Sequence, residues 1–204
     1  DHDAVVHIPM SSGLSSSCQT AQILADDYDG RVQVVNNQRI SVTQRQAVLD
    51  AKTLAERGKS AAEITARIEE LKPLVRASFV VDTLTYLYRG GRCSGLAALA
   101  GGALKLHPRI GVEDGKMGPG KKYRGNMEKV VLSYVKDMEE AMKNARPERV
   151  FITHSGSAPE IVDKVRAYLN DLHVFREILE TRAGGVVSSH CGPGTLGVLF
   201  IAKE

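Results

Sequence analysis

Cysteine is scarce in this sequence, and the three cysteines lie far apart. An odd number at such wide spacing (Cys18, Cys93 and Cys191) fits neither a C-x-x-C metal pair nor an even disulfide framework. A reducing, cytoplasmic compartment is the simplest interpretation. The sequence also lacks metal-ligand spacings and a Walker-type phosphate loop. We therefore expect neither a metal nor a nucleotide cofactor.

Long apolar runs and clusters of like charge are also lacking. The longest near-apolar stretches, residues 95–106 and 195–202, fall short of the ~20 residues of a membrane-spanning helix. The 27 basic and 24 acidic side chains give a net charge of +3 and form no run of five or more. We expect a soluble protein without a membrane span or a nucleic-acid partner. The composition, 43% hydrophobic and 25% charged over 204 residues, is ordinary for globular domains.

The first residues are typical of a strand rather than of a leader. Residues 3–10 form a short, mostly apolar run that Ser11-Ser12-Gly13 stops, as in a buried parallel strand that feeds a loop and a helix. An initiator Met and the basic-then-apolar layout of a signal peptide are both missing. We therefore expect this chain to be a fragment that lacks its leading part.

Residues 1–77 are predicted to form a first α/β domain. A strand at residues 31–36 follows a helix at 16–28, and two more helices follow before Pro73. Ser60 and Glu63 form a capping box at the start of the last of these helices. The order β-α-β-α-α is typical of a parallel α/β layer.

Residues 78–204 are predicted to form a second α/β domain with a mixed sheet. A hairpin through Asp114-Gly115 is expected over residues 109–123. Further strands are expected at residues 79–81, 149–153, 174–180 and 195–202. Three helices are also expected: a helix of small residues at 95–106, a long amphipathic helix at 127–142, and a helix capped by Ser157 and Glu160.

Two polar segments are candidate binding sites. The serines of residues 11–17 follow the first strand, where open α/β sheets place ligands, and hydroxyls with helix-start N–H groups can hold an anion. Ordinary turn and N-cap serines are an equal alternative. His190 is predicted to lie in a Gly/Pro loop between two strands, where it could donate to an anion. A loop histidine with a purely structural role is the alternative.

Four further residues carry weaker signals. Arg92 and Arg124 are either functional cations or solvated surface cations. Cys191 next to His190 suggests a thiolate pair, but neighbours in an extended strand point to opposite faces. His154 follows a strand and matches neither a nucleophile elbow nor a metal pattern.

Several of these segments together resemble the DegV family of bacterial fatty-acid-binding proteins, in the same order and over essentially the whole chain. The resemblance implies two α/β domains, the first a Rossmann-like parallel layer, incomplete here, with a fatty acid bound between them. It also implies that a separate ATP-dependent fatty acid kinase phosphorylates the bound carboxylate. The segments are Ile8-Pro9-Met10-Ser11-Ser12-Gly13-Leu14-Ser15, Phe79-Val80-Val81-Asp82-Thr83-Leu84 with Tyr86-Leu87, Arg89-Gly90-Gly91-Arg92, the Gly115-Lys116 turn with residues 121–125, and His190-Cys191-Gly192-Pro193-Gly194.

The resemblance also implies roles for individual residues. Ser11 and Ser12 match the carboxylate-binding serines, His190 matches the carboxylate-facing histidine, and Arg92 matches the arginine of the Gly-Gly-Arg motif. Arg124 lies in the basic stretch associated with kinase docking.

The sequence departs from the family pattern at three places. Residues 16–18 are Ser-Ser-Cys where the family has Gly-Thr and an aromatic residue. Residues 36–38 are Asn-Asn-Gln where the family has an acidic-serine motif. Nothing in the chain matches the family's leading strand and its Thr-Ser-Gln-Pro loop, so the anion site is expected to be incomplete.

The sequence and the family resemblance leave two functions open. The first is a lipid carrier that is not an enzyme and that presents a fatty acid to the kinase. A candidate lining of its tunnel is the apolar set Leu96, Ala97, Ala98, Leu99, Ala100, Leu104 and Leu106, for which a plain interdomain core is the alternative. The alternative function is a small acyl hydrolase or transferase that uses a serine of residues 11–17, or Cys191, with His190.

Overall fold

The computed structural model describes residues 3–92 and 106–203. The chain divides into two compact units. The first comprises Asp1–Val75 and Asp114–Lys116, and the second comprises Arg76–Glu113 and Met117–Glu204. Both units combine helices with strands, as the sequence predicts. The helix expected at residues 95–106 lies outside the described residues, except for Leu106, which begins a strand.

The first unit contains a two-stranded parallel sheet covered by helices. Strands β1 (Val5–His7) and β2 (Val32–Val34) pair in register from Val5 with Val32 to His7 with Val34. The core consists of Ile8, Val35, Ile64 and Ile68. The helices are α1 (Ser17–Ala25), α2 (Val42–Glu56) and α3 (Ala61–Leu71), with single 3-10 turns after α1 and α3.

The two predicted capping boxes have different outcomes. At α3 the box is confirmed, because Ser60 Oγ accepts from the Glu63 N–H at 3.3 Å and the Glu63 carboxylate accepts from the Ser60 N–H at 2.9 Å. The box predicted at Ser157 is wrong. The hydroxyl of Ser157 donates to backbone carbonyls at 3.3 Å instead, and the helix starts with Pro159 at its first position, where the missing N–H costs nothing.

The second unit contains a mixed sheet of six strands in the order β5-β4-β3-β8-β6-β7. Strand β3 is antiparallel to β4, β6 is antiparallel to β8, and β6 is parallel to β7. The predicted hairpin is confirmed: Asp114 and Gly115 both have positive φ, 47° and 76°, as a two-residue type I′ turn requires. The strands are β3 (Val75–Val80), β4 (Leu106–Glu113), β5 (Lys116–Arg124), β6 (Arg149–His154), β7 (Glu177–Arg182) and β8 (Leu196–Ile201).

The helices of the second unit pack an apolar face on this sheet. The single long helix predicted over residues 127–142 is wrong, because the chain leaves helical geometry at Met138 (φ −96°, ψ 0°) and starts a new helix at Glu139. Both pieces still contribute to one core, through Tyr134 and Met142. The helices are α4 (Thr85–Gly90), α5 (Met127–Asp137), α6 (Glu139–Lys143), α7 (Pro159–Asp171) and α8 (Gly185–Cys191). Within the described part of the chain, no helix combines the length and apolarity needed to cross a bilayer.

Tyr134 connects two strands of this core through its hydroxyl. The side chain is completely buried. Its Oη donates to the Ser78 carbonyl at 2.7 Å and accepts from the Val198 N–H at 3.0 Å. Burial raises the pKa of the phenol above its ordinary value, so the group stays a neutral donor.

We expect Tyr134→Phe to lower the free energy of unfolding by about 1–3 kcal/mol, because it removes the partner of two buried backbone groups. Urea denaturation followed by circular dichroism measures the change. Tyr88→Phe, at a side chain that is 55% exposed, is the control and should change stability by less than about 0.5 kcal/mol. Equal stability of wild type and Tyr134→Phe would show that this hydroxyl is not needed.

Candidate functional site

The loop after β1 is organised around Ser11, which is completely buried. Its N–H donates to the Arg39 carbonyl at 3.0 Å, and its carbonyl accepts from the Leu14 N–H at 3.0 Å. Its Oγ donates to the Gly115 carbonyl at 2.7 Å and accepts from the Gly13 N–H at 3.2 Å. The Ser11 hydroxyl therefore donates its proton to a backbone carbonyl of the first unit.

Two glycines allow this loop and the Asp114-Gly115 turn to lie against each other. A β-carbon on Gly13 would lie 2.6 Å from the Gly115 carbonyl oxygen, and one on Gly115 would lie 2.6 Å from Ser11 Oγ. Real side chains do not approach so closely, so both positions require glycine.

Ser12 is half-buried and is bound by the side chain of Asn36. The Ser12 N–H donates to Asn36 Oδ1 at 3.3 Å, and Asn36 Nδ2 donates to Ser12 Oγ at 2.7 Å. The Gln38 N–H also donates to Asn36 Oδ1, at 3.3 Å. A serine hydroxyl that accepts from an amide keeps its own proton for another acceptor.

The other serines of the cluster have local roles. Ser15 Oγ accepts from the Ser17 N–H at 3.2 Å, which is a turn at the start of α1. This contact fits the turn-serine alternative for Ser15. The cluster thus divides into buried Ser11, half-buried Ser12 and local turn serines.

Asn36 is a candidate site residue that the sequence alone does not indicate. The sequence showed only that residues 36–38 differ from the family pattern, and nothing local connects them with Ser12, 24 residues earlier. The segment bends back because Asn37 Oδ1 accepts from the Arg39 N–H at 2.9 Å, with Gln38 at a φ of +53° between them. This turn holds the Asn36 side chain over the Ser12 loop.

In the second unit, His190 lies in the last turn of α8, and the prediction of a loop there is wrong. The helix begins after Gly184 and ends at Gly192, which has a φ of +81° and donates its N–H to the Ser188 carbonyl at 2.8 Å. A seven-residue helix that contains two serines has only a weak hydrophobic periodicity. The Gly-Pro-Gly that follows it is typical of a loop, and the sequence therefore predicts a loop at His190.

Helix α8 contacts α4 closely through two glycines. A β-carbon on Gly90 would lie 2.2 Å from His190 Nδ1, and one on Gly192 would lie 2.3 Å from Tyr86 Cδ2. Arg92 Nη1 donates to the Gly90 carbonyl at 2.6 Å. His190 and Arg92 therefore both contact Gly90, and the structure brings these two predicted residues to one corner of the second unit.

Cys191 has the properties of a structural cysteine. The residue is 5% exposed, and burial raises the pKa of its thiol to about 11. The thiol is thus protonated at neutral pH, whereas a nucleophilic cysteine needs a thiolate. The geometry at Cys191 therefore does not support the alternative function, an acyl hydrolase or transferase.

His154 is also held in a structural network. Its Nδ1 accepts from the Ser157 N–H at 3.2 Å, which leaves Nε2 as the donor to Glu180 at 3.2 Å. Arg166 donates to the same carboxylate at 2.7 Å. The bonds from His154 and Arg166 lower the pKa of Glu180.

Arg124 is exposed at the end of β5, in the second unit. Ser11 and Ser12 belong to the first unit, and His190, Arg92 and Arg124 belong to the second. Over residues 3–92 and 106–203, no group of three or more His, Cys, Asp or Glu side chains is placed to hold a metal ion.

Comparisons with known proteins agree on one family. A family model described as "Uncharacterised protein, DegV family" matches residues 1–203. The protein DegV of Bacillus subtilis is 32% identical over 206 residues, which cover 99% of this chain and 72% of that protein. A DegV domain-containing protein of Deinococcus radiodurans is 32% identical over 196 residues, 96% of this chain and 69% of that protein.

Solved structures show the same relationship. A DegV family protein from Thermus thermophilus, described as binding fatty acid, has a TM-score of 0.90 and 30% identity, with 100% of this chain and 72% of that chain covered. DegV of Bacillus subtilis, described as a fatty acid binding protein, has a TM-score of 0.80 and 29% identity, with 99% and 72% covered.

We expect Gly90→Ala to lower the free energy of unfolding by about 1–3 kcal/mol, because its β-carbon would clash with the His190 ring. In a His190→Ala background the same substitution should cost less than about 0.5 kcal/mol, since the clashing ring is gone. Chemical denaturation of the four proteins measures both costs. Gly185→Ala, in open space on α8, is the matched control. Equal costs in both backgrounds would contradict the close contact.

Proposed function

Because the chain belongs to the DegV family, we propose that it is a carrier that binds a long-chain fatty acid and performs no chemistry on it. The observation that carries the proposal is the likeness to the Thermus thermophilus protein, which is described as binding fatty acid. The carrier role also agrees with the protonated thiol of Cys191 and with the Ser11 hydroxyl, which donates to a carbonyl rather than to a base.

The binding energy would come mainly from the acyl chain. At roughly 0.8 kcal/mol per buried methylene, a long acyl chain contributes on the order of 10 kcal/mol before the costs of association. The carboxylate contributes orientation, provided that hydrogen bonds replace its hydration.

We assign the carboxylate contacts to Ser12 and His190, with Arg92 as a neighbouring cation. Ser12 is half-buried and has a hydroxyl proton to donate, and His190 lies at a helix end against Gly90. Ser11 supports them indirectly, because its buried hydroxyl holds the loop that carries Ser12.

Native mass spectrometry of the protein as purified, followed by denaturing release, tests the carrier function. We expect one fatty acid per chain. A protein that is empty and also takes up no added fatty acid would overturn the proposal.

We expect Ser12→Ala and His190→Ala each to weaken fatty acid binding by about 1–3 kcal/mol, because the buried carboxylate loses a hydrogen-bond donor. Displacement of a fluorescent fatty acid measures the affinities. Ser189→Ala, at an exposed serine whose hydroxyl donates to the Val186 carbonyl, is the matched control and should bind as wild type does. Unchanged affinity in both variants would show that the head group is bound elsewhere.

The proposed partner is a separate ATP-dependent fatty acid kinase, which would phosphorylate the presented carboxylate in the cytoplasm. The family resemblance implies this partner, and the exposed Arg124 at the end of β5 is the proposed docking residue. The two described cysteines, Cys18 and Cys191, are free thiols, which agrees with a reducing compartment.

Arg124→Ala should leave fatty acid affinity unchanged and slow phosphorylation by a purified fatty acid kinase at least several-fold, because its cation would contact the partner and not the lipid. Parallel binding and kinase assays measure the two effects. Arg57→Ala removes another exposed arginine and should change neither. Equal losses of binding and phosphorylation would contradict the docking role.

A further inference from the structure

The orientation of the Asn36 amide is fixed by its neighbours. Asn36 Oδ1 lies 3.3 Å from the Ser12 N–H nitrogen and 3.3 Å from the Gln38 N–H nitrogen. Two backbone N–H donors can share only an oxygen, so the reverse amide orientation would place N–H against N–H. The amide nitrogen must therefore face Ser12 Oγ, 2.7 Å away.

This orientation also fixes the direction of the Ser12 hydroxyl. A hydroxyl has one proton and two lone pairs, and here one lone pair accepts from Asn36 Nδ2. The proton must therefore point away from the Nδ2–H group, which leaves it available to another acceptor. Ser12 is half-buried, unlike the fully buried Ser11, so it is the serine of this pair that remains accessible to a ligand.

We propose that Asn36 is a positioning residue that sets Ser12 as a hydrogen-bond donor, so that the site selects an ionised fatty acid over an uncharged lipid of the same chain length. This inference rests on the proposed function. A donor hydroxyl bonds more strongly to a carboxylate than to an uncharged oxygen, because the bond to the anion is charge-assisted. Asn36 orients the Ser12 hydroxyl toward the ligand and is itself neutral, so it does not repel the ligand's carboxylate.

An aspartate at position 36 would reverse the arrangement while keeping its shape. One carboxylate oxygen would still accept from the Ser12 and Gln38 N–H groups, so the loop keeps both of its backbone bonds. The other oxygen would take the place of Nδ2 and would accept the Ser12 proton. Ser12 would no longer donate to the ligand, and a negative charge would lie next to the bound carboxylate.

The test compares oleic acid with oleyl alcohol in wild type and Asn36→Asp. We expect the ratio of the two affinities, acid to alcohol, to fall at least tenfold in Asn36→Asp, because the alcohol carries no charge. In a Ser12→Ala background the effect of Asn36→Asp on the ratio should be at least threefold smaller, since part of it acts through the Ser12 proton. Asn170→Asp adds the same charge at an exposed position of α7 and should change the ratio by less than twofold.

The outcomes separate this inference from the carrier function. Wild type that binds oleic acid, with a ratio that Asn36→Asp does not change, would overturn the role of Asn36 alone. Equal losses for acid and alcohol would also overturn it, because a purely structural defect affects both ligands. Wild type that binds no oleic acid would overturn the proposed function, and the inference with it.

Discussion

The hydrogen bond from Ser11 to the Gly115 carbonyl is the contact on which the serine loop depends. A loop that buries its backbone must find partners for every N–H and carbonyl group, and Ser11 uses its backbone and side chain to do so. The contact is possible only because Gly13 and Gly115 carry no side chain at the point of closest approach. Once Ser11 is buried, the next residue, Ser12, lies half-buried with its hydroxyl held by Asn36. The residue that orders the loop is thus distinct from the residue suited to contact a ligand.

Glycine has the same physical role in the second unit. Helices α4 and α8 approach so closely that Gly90 faces the ring of His190 and Gly192 faces the ring of Tyr86. The imidazole therefore packs directly against the backbone of Gly90, and Arg92 bonds to the carbonyl of the same glycine. The Gly-Gly-Arg motif thus has a structural reason: its first glycine provides space for His190, and its second has a φ of +64° that ends α4.

Features that depend on neighbours in sequence were predictable, whereas features that depend on distant contacts were not. The capping box at Ser60 and the Asp114-Gly115 turn involve residues within one turn of chain, and both are confirmed. Ser157 has the same local pattern as Ser60, but its hydroxyl bonds to carbonyls 37 and 38 residues away. The Ser157 hydroxyl therefore bonds to these distant carbonyls instead of capping the helix. The local sequence contains no information about such distant partners.

In the candidate site, too, the sequence identifies a residue but not its hydrogen-bond partners. The direction of its hydrogen bonds depends on contacts that are distant in sequence. Resemblance to a family identifies Ser12 as a residue of interest, but a hydroxyl is both donor and acceptor, so its identity leaves its role undetermined. That role depends on the group that bonds to it, and here the group is an amide whose own orientation is fixed by two backbone N–H donors. The backbone N–H groups orient the Asn36 amide, and the Asn36 amide in turn orients the Ser12 hydroxyl. Under the proposed function, that hydroxyl would donate to the charged group of the ligand. A neutral residue that fixes a donor favours an anion without the desolvation cost of another charge.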